Sequence, residues 1–527
     1  MSGDPILIVG AGPAGLVLAI ELTRRGVACQ IIDHRAPDLP QDRAAFVKSR
    51  SLEIFASYGL ADAFLQRGHV INGFGFHSGG AEATSYRINT IDSPFPYFLG
   101  ISESETENLL AGKLEQVGGA VERGVKLVDH HEESDGLVAR LSTVSGDHTR
   151  KFGWIVGADG LHSTVRQAAG IPFPGHDYPL RWGVVDGRLA NWSHAGDMVA
   201  VQFSPLIYAA PVGTGRRRIY FRADPDAEAG VAAVNRMIAA LGPGVELRDA
   251  DTPQLFHSHC KVAPTFRSGR VLLTGDAAHA ISPTQAHGMN TGIQDSFNLG
   301  WKLALVAKGL APESLLDTYD AERRPVAELV AKTGDDAESF VARGDPEAIE
   351  TITRVLSDSE QRHQMATDEA EVAYVYGGSP IVENVGAPTA ASGATEAGCR
   401  VGDASGLVTG NGSETKTLHE VISHVGHTVF LLAGDADQEQ IEDGLALIRA
   451  ATDRYGGHLK AYLVHTNEIE TKPEVPELLF DRAGAAHARL GPAGNSLAVV
   501  RPDGHLGLRC VPPSPAALDR YLSNTFA

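Results

Sequence analysis

Apolar and polar positions follow two different periods at the amino end of the chain. The run ILIVG is a short apolar strand that ends at Gly10, and PAGLVLAIELTRRG has helical spacing with its stop at Gly26. The run VACQIID is a second buried strand, which ends at Asp33. A strand, a helix and a strand in this order predict a βαβ unit, so we expect an α/β fold that begins with a Rossmann-type domain.

The pattern changes further along the chain. Short strand-like runs such as MVAVQFSPLIYAAPV dominate residues 172–264, whereas helical patterns return from Thr291. A passage rich in Gly, Ala, Ser and Thr, VGAPTAASGATEAG, is then typical of a linker. The closing segment combines strands, a helix and an Asp-Gly hairpin, which predicts a small α/β unit.

A chain of 527 residues is too long for one hydrophobic core, so we expect several domains. The patterns predict a discontinuous α/β domain with a sheet-rich insert, a linker and a C-terminal domain. The α/β domain comprises residues 1–75, 100–171 and 265–375; the insert 76–99 and 172–264; the linker 376–397; and the C-terminal domain 398–527.

Charge and cysteine content restrict the partners. Lys and Arg number 45 against 65 Asp and Glu, and the formal charge of −20 disfavours nucleic acid and anionic membranes. The four cysteines are widely spaced and form no Cys-x-x-Cys, so neither a disulfide framework nor a zinc site is indicated. The sequence has no signal-like amino end and no apolar run long enough to span a membrane, which favours the cytoplasm.

The residues Gly10, Gly12 and Gly15 form a G-x-G-x-x-G motif between the first strand and helix, and Asp33 closes the next strand. The first glycine permits the turn, the second admits a pyrophosphate and the third lets helix and strand pack. This motif predicts a dinucleotide site but leaves NAD and FAD undecided. The predicted contacts here are Gly10, Gly12, Ala14, Gly15, Asp33, His34 and Arg35.

Two later stretches carry a resemblance to a known family. GADGLHSTVR, from Gly157 to Arg166, and GDAAHAISPTQAHGMNTG, from Gly275, resemble the second and third fingerprints of the class A flavoprotein monooxygenases, in the order and spacing of that family. The closing stretch from Phe480 is similar to the thioredoxin-like C-terminal domain of the phenol hydroxylase and polyketide hydroxylase branch. Without Cys-x-x-Cys, that domain is expected to serve packing or subunit contact.

The resemblance implies an FAD site. Asp276 would bind the ribityl hydroxyls, and backbone N–H groups at the start of a helix would face the flavin ring beside Pro283. Asp159 and Arg166 would help to hold FAD and would also shape the approach of the nicotinamide, and Gly160 would contact FAD. The further predicted FAD contacts are Arg43, Glu103, Gly288, Met289 and Asn290. Glu103 is a departure because relatives commonly carry Gln there, and Lys48 is expected on a solvated helical face.

The loop after Pro283 departs from the family pattern Pro-x-Gly-Gly-Gln-Gly by carrying Gln285 and His287. Gln285 is a candidate substrate contact. Pro283 and His287 are the candidate catalytic residues. His287 would deprotonate a phenol, although a loop histidine that is hydrogen-bonded to the backbone is the favoured alternative. The predicted pocket walls are Phe203, Tyr208 and Tyr220, each of which fits an ordinary core equally well.

The resemblance implies an FAD-dependent monooxygenase that consumes NADPH or NADH and O2. It would hydroxylate a phenolic, aromatic or polyketide-like substrate through a flavin C4a-hydroperoxide, with a homodimer as the family expectation. Two alternatives remain at this point. One is a flavin oxygenase that performs epoxidation or Baeyer-Villiger insertion on a polyketide-like substrate. The other is a non-catalytic flavin-containing protein that binds or sequesters its ligand.

Overall fold

The protein forms two compact units in a computed structural model. The first contains Met1–Gly300 and Arg323–Val372, and the second contains Trp301–Glu322 and Ala373–Ala527. The predicted domain boundaries stay predictions, and residues 387–393 of the predicted linker lie outside the described residues. The structure describes residues 4–35, 43–134, 136–192, 196–213, 215–224, 230–342, 344, 346–386, 394–410, 412, 414–434, 436–466, 477–491 and 495–527.

A mostly parallel sheet, with one short antiparallel edge strand, belongs to the first unit. Its central strand, Ile6–Val9, pairs in parallel with Cys29–Asp33 on one side and Trp154–Gly157 on the other. The helix Pro13–Thr23 connects the first two strands, as the βαβ pattern predicts. In the described residues the sheet has six strands, in the order Arg267–Ser268, Val271–Leu273, Trp154–Gly157, Ile6–Val9, Cys29–Asp33 and Val121–Arg123.

The second large sheet of the first unit is mostly antiparallel and is built largely from the predicted insert. Its inner face carries an aromatic core that includes Phe76, Trp182 and Phe203. Within the described chain it has nine strands: His279–Ala280, Gln254–Val262, Gly175–Ala190, Arg216–Ala223, Leu206–Val212, Met198–Phe203, Gly73–Ser78 and Ala81–Arg87 in order, with Glu246–Arg248 paired to the third.

Two small three-stranded sheets and several helices complete the described part of the first unit. One sheet consists of Gly146–Phe152, Gly136–Thr143 and Lys126–Glu133, and the other of Phe46–Val47, Phe98–Gly100 and His69–Ile71. The helices are Ser49–Ala56, Ala61–Arg67, Glu103–Gln116, Thr164–Ala168, Val231–Ile238, Glu347–Ser357 and Ser359–Glu369. The helix Gly288–Ala307 begins in this unit, and Asp317–Val341 ends in it.

The second unit is a mixed sheet flanked by helices. The described strands follow the order Glu383–Gly386, Leu506–Val511, Ser496–Val500, His427–Leu432, Leu459–His465, Leu478–Asp481, Leu407–Thr409 and Thr415–Lys416. Its helices are Leu418–Val421, Gln438–Tyr455, Ala485–Leu490 and Pro515–Thr525. Across the described parts of both units, every helix is too short or too polar to cross a membrane.

Candidate functional site

A cavity of about 1370 Å³ opens in the first unit, next to the carboxyl ends of the parallel strands. This is the edge at which open α/β sheets bind their ligands. The predicted residues that line it are Gly10, Gly12, Ala14, Asp33, His34, Arg35, Arg43, Glu103, Asp159, Gly160, Phe203, Tyr208, Tyr220, Asp276, Pro283, Gln285, Gly288 and Met289. Gly15, Arg166, His287 and Asn290 are outside this lining, and the roles of all these residues stay predictions.

The three motif glycines have different physical reasons to be glycine. Gly10 has a φ of +105°, and a Cβ there would lie 2.2 Å from the carbonyl oxygen of Ala158. A Cβ at Gly15 would lie 2.0 Å from the carbonyl oxygen of Gly10. At Gly12, by contrast, the nearest atom is Glu107 Oε1 at 3.7 Å. Gly12 therefore leaves space on the cavity side, at the amino end of the helix Pro13–Thr23, where a pyrophosphate would bind.

Asp33 is buried at the end of its strand and joins the glycine turn to the next loop. Its Oδ2 accepts a 2.9 Å hydrogen bond from Ala11 N, and its Oδ1 accepts a 2.8 Å hydrogen bond from Arg35 N. The Arg35 guanidinium also donates to Asp33 and, at 3.2 Å, to Glu107. Burial alone would raise the pKa of the Asp33 carboxyl, but these bonds outweigh it and lower that pKa, so a carboxylate faces the cavity.

One carboxylate oxygen of Asp159 is an unused acceptor in the described part of the chain. Its Oδ2 receives hydrogen bonds from the backbone N–H of Thr164 at 2.7 Å and Val165 at 3.2 Å, while Oδ1 is buried and lacks a donor among the described residues. Arg166 lies behind the cavity wall and donates to the carbonyl oxygens of Leu161 and Ala277 at 2.8 and 2.9 Å. Arg166 thus ties the second fingerprint to the loop that carries Asp276.

Asp276 faces the cavity from the loop after Val271–Leu273. Desolvation raises the pKa of its carboxyl, although the side chain is exposed to the cavity. Buried Asp295, which sequence reasoning missed, fixes this loop. Its carboxylate accepts from Gly275 N at 3.3 Å and Arg323 Nε at 2.7 Å, and His279 Nε2 lies 2.6 Å away. In the sequence, Asp295 within QDSFNLG and Arg323 within AERRP were the signals that could have indicated this ion pair.

A second missed carboxylate, Glu338, fixes the turn Pro283–Gln285. Glu338 Oε1 accepts hydrogen bonds from the hydroxyls of Ser282 at 2.5 Å and Thr284 at 2.6 Å, and Arg222 forms an ion pair with Oε2. The turn ends at Ala286, whose φ of +55° is left-handed. These bonds hold Pro283 and Gln285 at the cavity wall.

The helix Gly288–Ala307 begins at the cavity, where Gly288 and Met289 line the wall. The first N–H groups of a helix have no intrahelical partner, and the helix dipole makes this end positive. The Asn290 side chain is fully buried and serves the scaffold instead. Its Nδ2 donates to Phe46 O at 2.9 Å, and its Oδ1 accepts from Ser51 Oγ at 2.8 Å. This end of the helix is therefore fixed and suits a developing negative charge.

The expectation that Lys48 lies on a solvated helical face is wrong. Lys48 is 1 % exposed, and its ammonium lies 2.8 Å from Gln285 O, 2.8 Å from His287 Nδ1 and 3.2 Å from Glu369 Oε2. His287 Nδ1 is also 2.6 Å from Glu371 Oε1. The carboxylates offset the cost of burying the ammonium, and Lys48 and Glu369 line the cavity.

The predicted substrate walls come from the large antiparallel sheet. Phe203 belongs to the aromatic core, with its ring 6.0 Å from that of Phe76, and Tyr208 packs against this core. The Tyr220 hydroxyl donates to Arg43 O at 2.6 Å. All four aromatic residues line the cavity, so the expected core and the expected wall consist of the same side chains. Part of the cavity is thus an aromatic chamber.

Glu103 lines the cavity where relatives were expected to carry Gln. Its Oε2 accepts from Arg43 N and Ala44 N, both at 3.2 Å. Burial raises the pKa of this carboxyl to about 7, helped by repulsion from Glu107 and Asp276. The folded protein therefore keeps the Glu103 proton to a higher pH than the unfolded chain, so stability falls as pH rises from about 4.5 to about 7.

We therefore expect Glu103→Gln to stabilise the FAD-free protein at pH 8 by about 1–3 kcal/mol and to change little at pH 5. The amide oxygen still accepts both backbone hydrogen bonds and carries no charge. Urea unfolding at the two pH values measures the difference. Glu105→Gln is the control, because Glu105 is on the same helix but forms an exposed ion pair with Arg67. An equal gain at pH 5 and pH 8 would contradict the pKa assignment.

Three features of the cavity wall match the chemical groups of FAD. Gly12 leaves an open cradle at a helix start. Asp159 presents a buried acceptor that has no donor among the residues the structure describes. Gly288 adds a second helix start where a Cβ would meet no described atom within 4 Å. Phosphates suit the first feature, hydroxyl donors the second and the electron-rich part of a flavin the third. Together they fit the phosphates, the hydroxyl groups and the ring system of FAD.

Comparisons with known proteins agree with an FAD site. The family described as FAD binding domain matches residues 4–333. The rifampicin monooxygenase of Streptomyces venezuelae is 34% identical over 67% of this chain and 75% of its own length. The 6-methylpretetramide 4-monooxygenase of Streptomyces rimosus is 31% identical over 96% of this chain and 91% of its own. The solved flavin-dependent monooxygenase PieE superposes with a TM-score of 0.80 at 22% identity, over 99% of each chain, which confirms the predicted α/β fold.

The chain belongs to the FAD-binding family of flavoproteins, and it is a flavin-dependent monooxygenase. The family resemblance, the FAD cofactor and the enzyme class predicted from sequence are thereby confirmed.

Proposed function

We propose that this protein hydroxylates an electron-rich aromatic ring, with NADPH or NADH as reductant and O2 as oxygen source. The observation that carries this proposal is the continuity of the cavity. The same space touches Gly12 at the glycine cradle, Gly288 at the second helix start and Phe203 and Tyr208 in the aromatic chamber. A flavin and an aromatic ring would therefore share one enclosure.

The residues of the chain support this chemistry by binding, orientation and exclusion of water. Bound FAD would supply the redox chemistry by taking a hydride from the nicotinamide and activating O2. Gly12 and the helix after it would hold the pyrophosphate, and Asp276 the ribityl hydroxyls. The positive end of Gly288–Ala307 favours negative charge on the reduced ring. The aromatic chamber would limit the access of water to the reacting atoms.

The relatives, more than the size of the cavity, favour a larger substrate. Typical small-molecule sites measure about 300–1,000 Å³, and this cavity of about 1370 Å³ must hold both flavin and substrate. The relatives include monooxygenases named for 6-methylpretetramide and for rifampicin. We therefore favour a polyketide-like aromatic over a single small ring. The four cysteines are all free, which supports a reducing compartment such as the cytoplasm.

Consumption of NAD(P)H and O2 by the FAD-loaded enzyme tests this function, over a panel of phenols and aromatic polyketides with product identification. We expect substrate-stimulated consumption and a new ring hydroxyl in the product. Insertion of oxygen beside a ketone would instead indicate Baeyer-Villiger chemistry. If the protein binds the panel compounds but none of them stimulates consumption of NAD(P)H and O2, the result would favour a non-catalytic flavin-containing binding protein.

A further inference from the structure

A carboxylate lines the cavity that contains the aromatic chamber. Glu369 is the last residue of the helix Ser359–Glu369, lines the cavity and has 17% of its side chain exposed. Met365, one turn earlier on the same helix, packs against the aromatic core and also lines the cavity. Most of the chamber wall is apolar, so this carboxyl is an unusual element of it.

Glu369 is ionised. Burial alone would raise the pKa of its carboxyl, but attraction to Lys48 and His287 and hydrogen bonds from Lys48 and Gln285 lower it. An ionised carboxyl only accepts hydrogen bonds. A ligand group that meets Glu369 must therefore be a donor, and a hydroxyl on an aromatic ring is the donor that fits an apolar chamber.

Gln285 adds an unmet acceptor beside Glu369. Its Nε2 donates to Glu369 Oε1 at 3.3 Å, and a carboxylate neighbour fixes this orientation of the amide. Its Oε1 is buried and has no donor in the part of the chain that the structure describes. A buried carbonyl oxygen without a donor is costly, so a small rotation of Gln285 toward a ligand hydroxyl would be favourable.

Lys48 does not make the surroundings of Glu369 and Gln285 a binding site for anions. Its ammonium already contacts Gln285 O, Glu369 and His287, and Glu371 Oε1 is 3.9 Å away. Two carboxylates thus face one ammonium. An anionic ligand would meet Glu369 without a free cation from Lys48, whereas a neutral donor would meet a charged acceptor. Lys48 is a positioning residue, whose ion pair of 3.2 Å with Glu369 favours the carboxylate form.

We propose that Glu369, with Gln285 beside it, determines substrate specificity by accepting a hydrogen bond from a free ring hydroxyl of an uncharged aromatic substrate. This inference rests on the proposed function, because it names the substrate class of the same site. The Glu369 carboxylate is the principal acceptor, and carboxylated or otherwise anionic aromatics are excluded by the same charge.

Three probes test the proposal with the FAD-loaded protein: 2-naphthol, 2-methoxynaphthalene and 2-naphthoate. They share one ring system and offer a donor, no donor and an anion. Dissociation constants follow from the absorbance change of the bound flavin. We expect 2-naphthol to bind at least about ten-fold more tightly than either of the others, as the loss of a hydrogen bond to a charged group implies.

Two variants separate recognition from structure. Glu369→Gln removes the charge, so 2-naphthol should bind about ten-fold more weakly and 2-naphthoate more tightly. Gln285→Met keeps the length of the side chain, and it should weaken 2-naphthol without improving 2-naphthoate. Glu360→Gln is the matched control on the same helix, where Glu360 is exposed and outside the cavity lining. A structural role alone would shift all three probes together.

Equal binding of 2-naphthol and its methyl ether to the unaltered protein would overturn the proposal, and so would saturable binding of none of the probes. Unchanged ratios in Glu369→Gln would do the same. The proposed function fails separately: if Glu369 discriminates between the probes but no aromatic is hydroxylated, the recognition site stands and the catalytic assignment falls. If hydroxylation occurs and Glu369→Gln is without effect, only the recognition site is refuted.

Discussion

Gly12→Val should yield a folded protein that is purified without its yellow colour. A Cβ at Gly12 would meet no atom closer than Glu107 Oε1 at 3.7 Å, so the folded chain leaves room for a side chain at this position. The same side chain would occupy the cradle where the pyrophosphate must approach the backbone. We expect FAD affinity to fall by at least about 100-fold, which corresponds to about 2.7 kcal/mol.

FAD titration and the melting temperature of the FAD-free protein measure the two parts of this prediction. Gly112→Val is the control, since Gly112 lies within the helix Glu103–Gln116 and does not line the cavity, and a Cβ there would meet no atom within 4 Å. A Gly12→Val protein that binds FAD normally would place the cofactor elsewhere. A protein that melts far earlier without FAD would show that Gly12 serves folding.

Glu322→Ala should destabilise the second unit by about 3–5 kcal/mol. Lys302 and Arg501 both donate to the fully buried Glu322 carboxylate, at 2.7 Å from Lys302 Nζ and at 2.8 and 2.7 Å from the two Arg501 nitrogens. Removal of Glu322 leaves two buried cations with too few anions. Urea unfolding followed by tryptophan fluorescence measures the loss.

The pH dependence of this network follows from the same charges. Burial would raise the pKa of Glu322, but Arg501 and Lys302 outweigh it and lower that pKa to about 2. The stabilisation is therefore complete above about pH 4.5 and is lost as pH falls toward 2. Glu328→Ala, which removes an exposed i,i+4 pair with Arg324, should cost about 0.5 kcal/mol or less. A similarly small effect for Glu322→Ala would refute the network.

Local patterns in the sequence predicted the parts of the fold that depend on near neighbours. The period of ILIVG and of the helix after it predicted the βαβ start, and Gly10 and Gly15 are glycines because backbone carbonyl oxygens lie about 2 Å from where a Cβ would be. The fingerprints around Asp159 and Asp276 predicted which loops meet, because the carboxyl ends of parallel strands share one edge of a sheet.

Contacts between distant segments could not be predicted in this way. Lys48 precedes a helix with a polar face, so its sequence neighbours indicate solvent, whereas Glu369 and Glu371 bury it from more than 300 residues away. Glu338 and Asp295 likewise look like ordinary helix residues until the fold brings Ser282 and His279 to them. A single sequence shows the charge of each residue and the hydrophobic periodicity of each segment. It does not show which carboxylate pairs with which cation.

Hydroxylation under 18O2 tests the central claim most directly. The FAD-loaded enzyme, NAD(P)H and an accepted aromatic substrate are incubated with 18O2 in ordinary water, and the product is analysed by mass spectrometry. We expect one 18O atom in a new ring hydroxyl, in proportion to the nicotinamide oxidised. A product oxygen that comes from water, or nicotinamide oxidation that yields only hydrogen peroxide with every bound aromatic, would contradict the assignment.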